Sequence, residues 1–252
     1  MEFATGKKIY FLSDFHLGAP DHLHSLIREK KIVAFLDSIK KDAAEVFIVG
    51  DIFDFWFEYK TVIPKGYSRL FGKLAELSDS GIRLHVFVGN HDMWMKDYFM
   101  REFNIPIYFE PRILEWNKKQ FYIGHGDGLG PGDQGFKFIK KIFRNPFCQC
   151  LFGILHPNFG IGLANYLSRK SREKTGDSDA HFLGEENEWL IIFSKEYLKQ
   201  NSTINYFIFG HRHFPIDFPL SDQSRYVNLG DWIRNFTYAC FDGKDLQLLN
   251  WE

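Results

Sequence analysis

Five short polar clusters recur along this 252-residue chain: Asp14-Phe15-His16, Gly50-Asp51-Ile52-Phe53-Asp54, Gly89-Asn90-His91-Asp92, Gly124-His125-Gly126-Asp127 and Gly210-His211-Arg212-His213. Imidazole and carboxylate together suit borderline or harder divalent ions such as Mn, Fe or Zn. The clusters contain no thiolate, which disfavours a cysteine-based site. Taken singly, an Asp-x-His or His-x-His is more often a turn or a surface pair than a ligand set. Here each cluster directly follows an apolar run, and five solvated turns do not explain that regularity.

The apolar runs are Lys8–Ser13, Glu45–Val49, Arg83–Val88, Gln120–Ile123 and Asn205–Phe209, and their length and content predict buried strands. Between the first three, Leu26, Val33, Leu36 and Ile39 fall on one helical face, and Tyr67–Ser80 is a second helical stretch closed by Gly81. Strands alternating with helices predict an α/β sheet, whose ligands bind beyond the carboxyl ends of the strands. The clusters can therefore converge on one mouth, with their glycines permitting tight turns there. After Gly210 the chain becomes β-rich, with strands expected at Tyr226–Leu229, Phe236–Phe241 and Leu246–Trp251 and a tight turn at Asp242-Gly243.

Composition bounds the remaining choices. The net charge is −1 and 25% of residues are charged, which argues against nucleic-acid binding by the whole surface. A hydrophobic fraction of 45% excludes a disordered chain, and 18% aromatics can fill a core or line an apolar pocket. The first ten residues carry no charged-then-apolar leader, so no secretion signal is expected. No apolar run approaches the roughly 18 residues of a spanning helix. Cys148, Cys150 and Cys240 are too few and too odd for a disulfide framework and are expected to be free thiols. His22, His24, His85, His156 and His181 lie outside the clusters and are not expected to be ligands.

One stretch breaks the rhythm. From Phe136 to about Thr175, Lys137, Lys140, Lys141, Arg144, Arg169, Lys170, Arg172 and Lys174 interleave with apolar residues, and Pro146 and Pro157 cut the stretch into short helices. It reads as a basic, apolar helical insertion at about 136–175 in a single domain spanning 1–252. Most amphipathic helices simply pack on their own domain. This composition also suits resting on an anionic membrane surface.

In order, the motifs DxH, GDxxD, GNHD, GHGD and GHxH resemble those of the calcineurin-like metallophosphoesterases, over nearly the whole chain from Lys8 onwards. The resemblance implies a four-layer αββα sandwich with a helical cap, and a pair of divalent metal ions, Mn foremost with Fe or Zn as alternatives. It implies one ion held by Asp14, His16, Asp51 and His213. The second would be held by Asp51, Asn90, His125 and His211, with Asp51 bridging. A bridging carboxylate places two dications about 3.5–4 Å apart, where they clamp attacking and leaving oxygens. The resemblance further gives His91 the role of general acid at the leaving group, with Asp92 orienting its ring. Asp54 and Asp127 would fix the ligand histidines from behind.

Within the superfamily the chain is most similar to the UDP-2,3-diacylglucosamine diphosphatase branch of lipid A biosynthesis. Carrying that likeness are Leu12–Gly18, the aromatic-rich Gly50–Trp56, the basic insertion after the fourth motif, and Leu229-Gly230-Asp231-Trp232. It implies hydrolysis of a nucleotide-diphospho-lipid by an enzyme resting on the cytoplasmic face of the inner membrane. Lys137, Lys141, Arg144, Arg169 and Arg172 would then face the substrate. His91 stands where the branch has Arg, and Arg212 where Thr is usual. Those departures keep open another activity: a nucleotide pyrophosphatase, a phosphodiesterase or a phosphatase. A non-catalytic scaffold fits poorly, because every ligand position is filled. Use of the basic insertion on nucleic acid fits poorly too, given the balanced charge.

Overall fold

Period-two burial in the apolar runs divides the molecule into layers. In β1 (Lys8–Leu12), Ile9 and Phe11 point one way, Tyr10 and Leu12 the other, and all four are buried. A strand buried on both faces must lie between two apolar layers. The computed structural model describes residues 6–131, 134–175 and 181–252, and its strands form two sheets. The first contains β1, β2 (Ala43–Val49), β3 (Arg83–Phe87), β4 (Ile107–Tyr108), β10 (Thr237–Phe241) and β11 (Leu246–Asn250), in the order β11-β10-β1-β2-β3-β4. The second contains β5 (Arg112–Trp116), β6 (Lys119–Ile123), β7 (Ile204–Phe209), β8 (Pro215–Ser221) and β9 (Ser224–Leu229), in the order β5-β6-β7-β9-β8. Strands β1 to β4 pair in parallel, as do β6, β7 and β9, so within each set the carboxyl ends share one edge.

Three cores stack through these sheets. Tyr10, Leu12, Val46, Ile48 and Val86 pack against α1 (His22–Ile39), α2 (Ser68–Asp79) and α3 (Tyr98–Phe103) through Phe35, Leu36, Leu70, Leu74 and Phe99. On the opposite face, Ile9, Phe11, Phe47 and Val49 meet Phe121, Ile123, Ile208 and Val227 of the second sheet. Beyond that sheet, Tyr122, Phe207 and Phe209 are covered by Leu190 and Ile191 of α7 (Trp189–Gln200). Helix, sheet, sheet and helix make the four layers that the motif resemblance implies. The five predicted strands and both predicted helices form, and the three C-terminal strands follow.

Strands β4, β5 and β8 and helices α3 and α7 were not expected from the sequence. Strand β8 carries Pro215 and Pro219, which read as breakers, but it lies at the sheet edge, where a missing amide costs little. The α7 run Trp189–Phe193 has no polar break that reveals a period. The Phe136–Thr175 stretch forms α4 (Gln134–Phe143), α5 (Pro146–Ile154) and α6 (Pro157–Thr175). Both prolines open helices rather than interrupt them. Helix α5 rests on the body through Phe152, whose ring meets Phe55, Phe57 and Trp94. All three cysteines are free thiols.

Candidate metal centre

Each polar cluster occupies the turn that leaves a strand end. Five of its residues adopt a left-handed backbone: Asp14 (φ 55°), His16 (44°), Asp51 (53°), His211 (69°) and His213 (52°). Such a conformation costs a non-glycine residue about 1–2 kcal/mol and persists only where the surroundings enforce it. The enforcement is visible. Asp14 N donates to Gly50 O (3.1 Å), His16 N to Asp51 O (2.9 Å), and Trp232 N to Asp14 O (3.1 Å). Buried Arg28 donates to three carbonyls of the first turn, those of Phe15 (2.9 Å), His16 (2.8 Å) and Ala19 (2.9 Å). Two motif glycines are needed for space. A Cβ at Gly89 would lie 2.1 Å from Asp51 Oδ1, and one at Gly210 would lie 2.4 Å from Asp14 Oδ2.

Donor atoms of Asp14, His16, Asp51 and His213 all lie within 4.8 Å of one another. His16 Nε2 is 3.0 Å from His213 Nε2, 3.6 Å from Asp14 Oδ1 and 3.6 Å from Asp51 Oδ2. His213 Nε2 is 3.2 Å from Asp14 Oδ1. Two imidazole nitrogens and two carboxylates converging on one point are the donor set of a divalent ion. From the other side, His125 Nε2 lies 3.3 Å from the same Asp51 Oδ2 and 3.2 Å from Asn90 Oδ1. The His125 and His211 rings are 5.2 Å apart. Asp51 thus stands between the first donor group and His125, and the first group, with its four donor atoms gathered, fits the expected ions.

His125 Nδ1 donates to Val49 O (2.8 Å), which fixes the ring and turns Nε2 towards Asp51. Burial disfavours a charge on His125, but Asp51 outweighs it and raises its pKa well above the ordinary value. For Asp51 itself burial pushes upward, yet the surrounding histidines, His125 first, hold it well below the carboxylate range. His211 is pushed down to about 4 by burial, reinforced by His125.

His91 lies beside both donor groups. Its N–H donates to Asp51 Oδ1 (2.9 Å), and its ring stands edge-on to His16 at 4.7 Å. Its Nδ1 donates to the main-chain oxygen of Asp54 (2.9 Å), with Asp54 Oδ1 at 3.7 Å. Burial pushes it down to about 4. The expectation that Asp92 orients this ring is corrected. Asp92 accepts from Gly89 N (2.7 Å) and Ile52 N (2.7 Å), tying the third motif to the second. The ring is oriented by Asp54 instead, and by Ser168 of α6, whose Oγ lies 3.3 Å from His91 Nδ1. Nothing in the sequence singled out Ser168, because it approaches His91 across 77 residues of chain. Asp54 also faces His16 Nδ1 at 3.8 Å. Asp127 forms an ion pair with Lys140 of α4 (2.5 Å).

The basic residues of the insertion divide. Lys137 donates to Gly130 O (2.7 Å), and Arg144 reaches Glu110 (2.6 Å) and Phe109 O (2.8 Å). Lys137 thus ties α4 to the loop before it, and Arg144 ties the residue after α4 to the Phe109–Glu110 segment. Lys141 is exposed. The side chains of Arg169 and Arg172 lie outside the described residues.

The calcineurin-like phosphoesterase family model matches residues 7–215. The chain is 39% identical to a Porphyromonas gingivalis protein named UDP-2,3-diacylglucosamine hydrolase, covering 97% of this chain and 98% of that protein. Proteins of the same name from Ectopseudomonas mendocina and Yersinia pseudotuberculosis are 27% and 25% identical. These cover 94% and 88% of this chain, and 95% and 90% of their own lengths. With its strand-end motifs gathered around Asp51, the chain belongs to the calcineurin-like phosphoesterase family.

Proposed function

We propose that this metal-dependent hydrolase cleaves the pyrophosphate of UDP-2,3-diacylglucosamine, giving UMP and 2,3-diacylglucosamine 1-phosphate. One observation carries the lipid assignment. Helices α4 to α6 leave large apolar side chains exposed, among them Ile154 (75%), Phe147 (70%) and Phe138 (65%), while Ser168 of the same set touches His91. Apolar surface that contiguous in sequence and that near a phosphoester site suits acyl chains. The name shared by the relatives supports the same substrate.

Asp14, His16, Asp51 and His213 would hold one divalent ion, and Asp51, Asn90, His125 and His211 the other. When bound, two such ions supply charge neutralisation and a water nucleophile at neutral pH. The protein's own groups do the rest. Asp51 holds the two donor sets in one register. The His91 Nδ1–H bond to Asp54 O fixes the ring, and a proton taken onto Nε2, against the burial that favours the neutral ring, would serve the leaving oxygen as the phosphorus–oxygen bond breaks. Asp92 keeps the His91 turn against Asp51 through Gly89 and Ile52. Mn is the proposed native ion. No helix among the described residues is long and apolar enough to cross a membrane, and the exposed face of α4–α6 supports peripheral association with an anionic membrane surface on the cytoplasmic side.

The deciding assay compares UDP-2,3-diacylglucosamine with deacylated UDP-glucosamine, using metal-stripped protein with Mn²⁺ restored. Mn-dependent cleavage of the lipid alone is expected. Cleavage of neither, with turnover of a generic phosphodiester, would keep the metal centre and discard the lipid.

A further inference from the structure

We infer that buried Arg212 and Glu188 form a positioning pair for the metal centre, holding the turn that presents His211 and His213. The inference rests on reading those two histidines as metal ligands. Both residues of the pair are 0% exposed. Arg212 Nε donates to Glu188 Oε2 (2.9 Å) and Nη2 to Glu188 Oε1 (3.0 Å), a fork on a carboxylate. Nη2 also donates to His181 O (3.0 Å), and the guanidinium lies 4.8 Å over the Trp189 ring. Glu188 immediately precedes α7. Its Oε1 accepts from Leu183 N (3.0 Å), and its carbonyl accepts from Ile192 N (3.0 Å). The pair therefore joins the ligand turn to a helix that Leu190 and Ile191 anchor in the third core.

The geometry of the turn shows what the pair is for. His211 and His213 flank Arg212 in left-handed conformations. The imidazoles leave on the side of Asp14 and His125, and the guanidinium leaves towards α7. The ends of the turn have brackets of their own: Asn228 Nδ2 donates to Gly210 O, and Asn235 Nδ2 donates to His213 O (2.7 Å). Arg212 is the bracket in the middle. A buried ion pair recovers little more than its desolvation cost, so apolar side chains of similar volume would serve folding as well. A two-pronged guanidinium–carboxylate contact instead has a direction, which an apolar contact lacks. Direction is what two left-handed ligand residues need if they are not to relax.

The test uses the full-length chain, stripped of metal and titrated with Mn²⁺ by calorimetry, with the visible spectrum of the Co²⁺-loaded protein as a report on ligand geometry. The variants are R212M/E188M and R212K. The double variant is expected to melt within a few degrees of the parent when both are metal-free. It should bind Mn²⁺ about 10–100-fold more weakly, the usual cost of losing a partner behind a ligand. Its Co²⁺ spectrum should change. R212K keeps the charge without the fork and is expected to weaken Mn²⁺ binding about tenfold. Parental affinity and a parental spectrum in both variants, with a parent that binds two ions, overturn the inference. Should the double variant not fold, R212K decides, and parental affinity there overturns it equally. A parent that takes up no ion overturns the ligand reading itself, and this inference with it.

Discussion

At the strand ends, Asp14, His16, Asp51 and Asp92 are at most 1% exposed, and their turns are cross-linked by main-chain bonds between motifs. Beside them, α5 contains no fully buried residue. Among the described residues it meets the body through the Phe152 ring, and α4 with Arg144 just after it adds two ion pairs and the Trp94 Nε1 bond to Phe143 O. Full burial of a phenylalanine is worth about 2 kcal/mol, and Phe152 is only partly buried. A partly exposed pair such as Arg144–Glu110 adds about 0–1 kcal/mol. The two regions meet at His91, which takes its backbone position from Asp51 and one ring contact from Ser168. The strand-end turns enforce a strained geometry, whereas among the described residues α5 meets the body through a part-buried ring. Chemistry that depends on sub-ångström placement fits the first region. Recognition of flexible chains fits the second.

The sharpest way to break this contrast is Asp51→Ala. Both donor sets lose their shared oxygen, so metal analysis should find neither ion retained. Turnover should fall by more than the roughly 100-fold that marks loss of an outer partner; full activity would end the two-ion reading. His91→Ala comes next. It should lower kcat by about 10²–10⁴-fold with metal content near parental, as for a general acid. Loss of both ions would place His91 among the ligands instead. On the helices, Phe147→Ser combined with Ile154→Ser should raise KM for the diacyl substrate roughly tenfold, from lost apolar contact. The same double variant should leave the melting temperature and the handling of deacylated substrate unchanged, because neither side chain is buried. A large fall in melting temperature would show that these side chains serve the fold. The smallest effect expected is on protons. Folding raises the affinity of His125 for its proton, so metal and proton compete there. Mn²⁺ uptake should release about one proton from this residue, and affinity should rise as pH is raised through the neutral range. Uptake with no proton release in two buffers of different ionisation enthalpy would contradict it.

Much of the centre was legible because its signals are local. A ligand type, a glycine that makes room, and a strand that ends just before them fall within five consecutive residues, as in Gly50–Asp54. The apolar runs are local too, and they marked β1, β2, β3, β6 and β7 before any contact was known. The edge strand β8 escaped because tolerance of its prolines depends on which side of the sheet carries a neighbour. Asp92 was placed in the right motif but given the wrong partner. Its sequence neighbour His91 looked like the natural contact, whereas its oxygens take one amide three residues back and another forty residues away.

By itself the sequence determined which donor residues recur in short clusters, that these clusters follow strands, and that a basic, apolar segment interrupts the pattern. Only the tertiary structure decided how they are held. It set Ser168 against His91, occupied Lys137 and Arg144 with partners at either end of α4, and clasped Arg212 to Glu188. The reason is physical. Residue type and hydrophobic period are written into neighbouring positions. A hydrogen bond between distant side chains exists only after three apolar cores have fixed where two sheets and their helices lie.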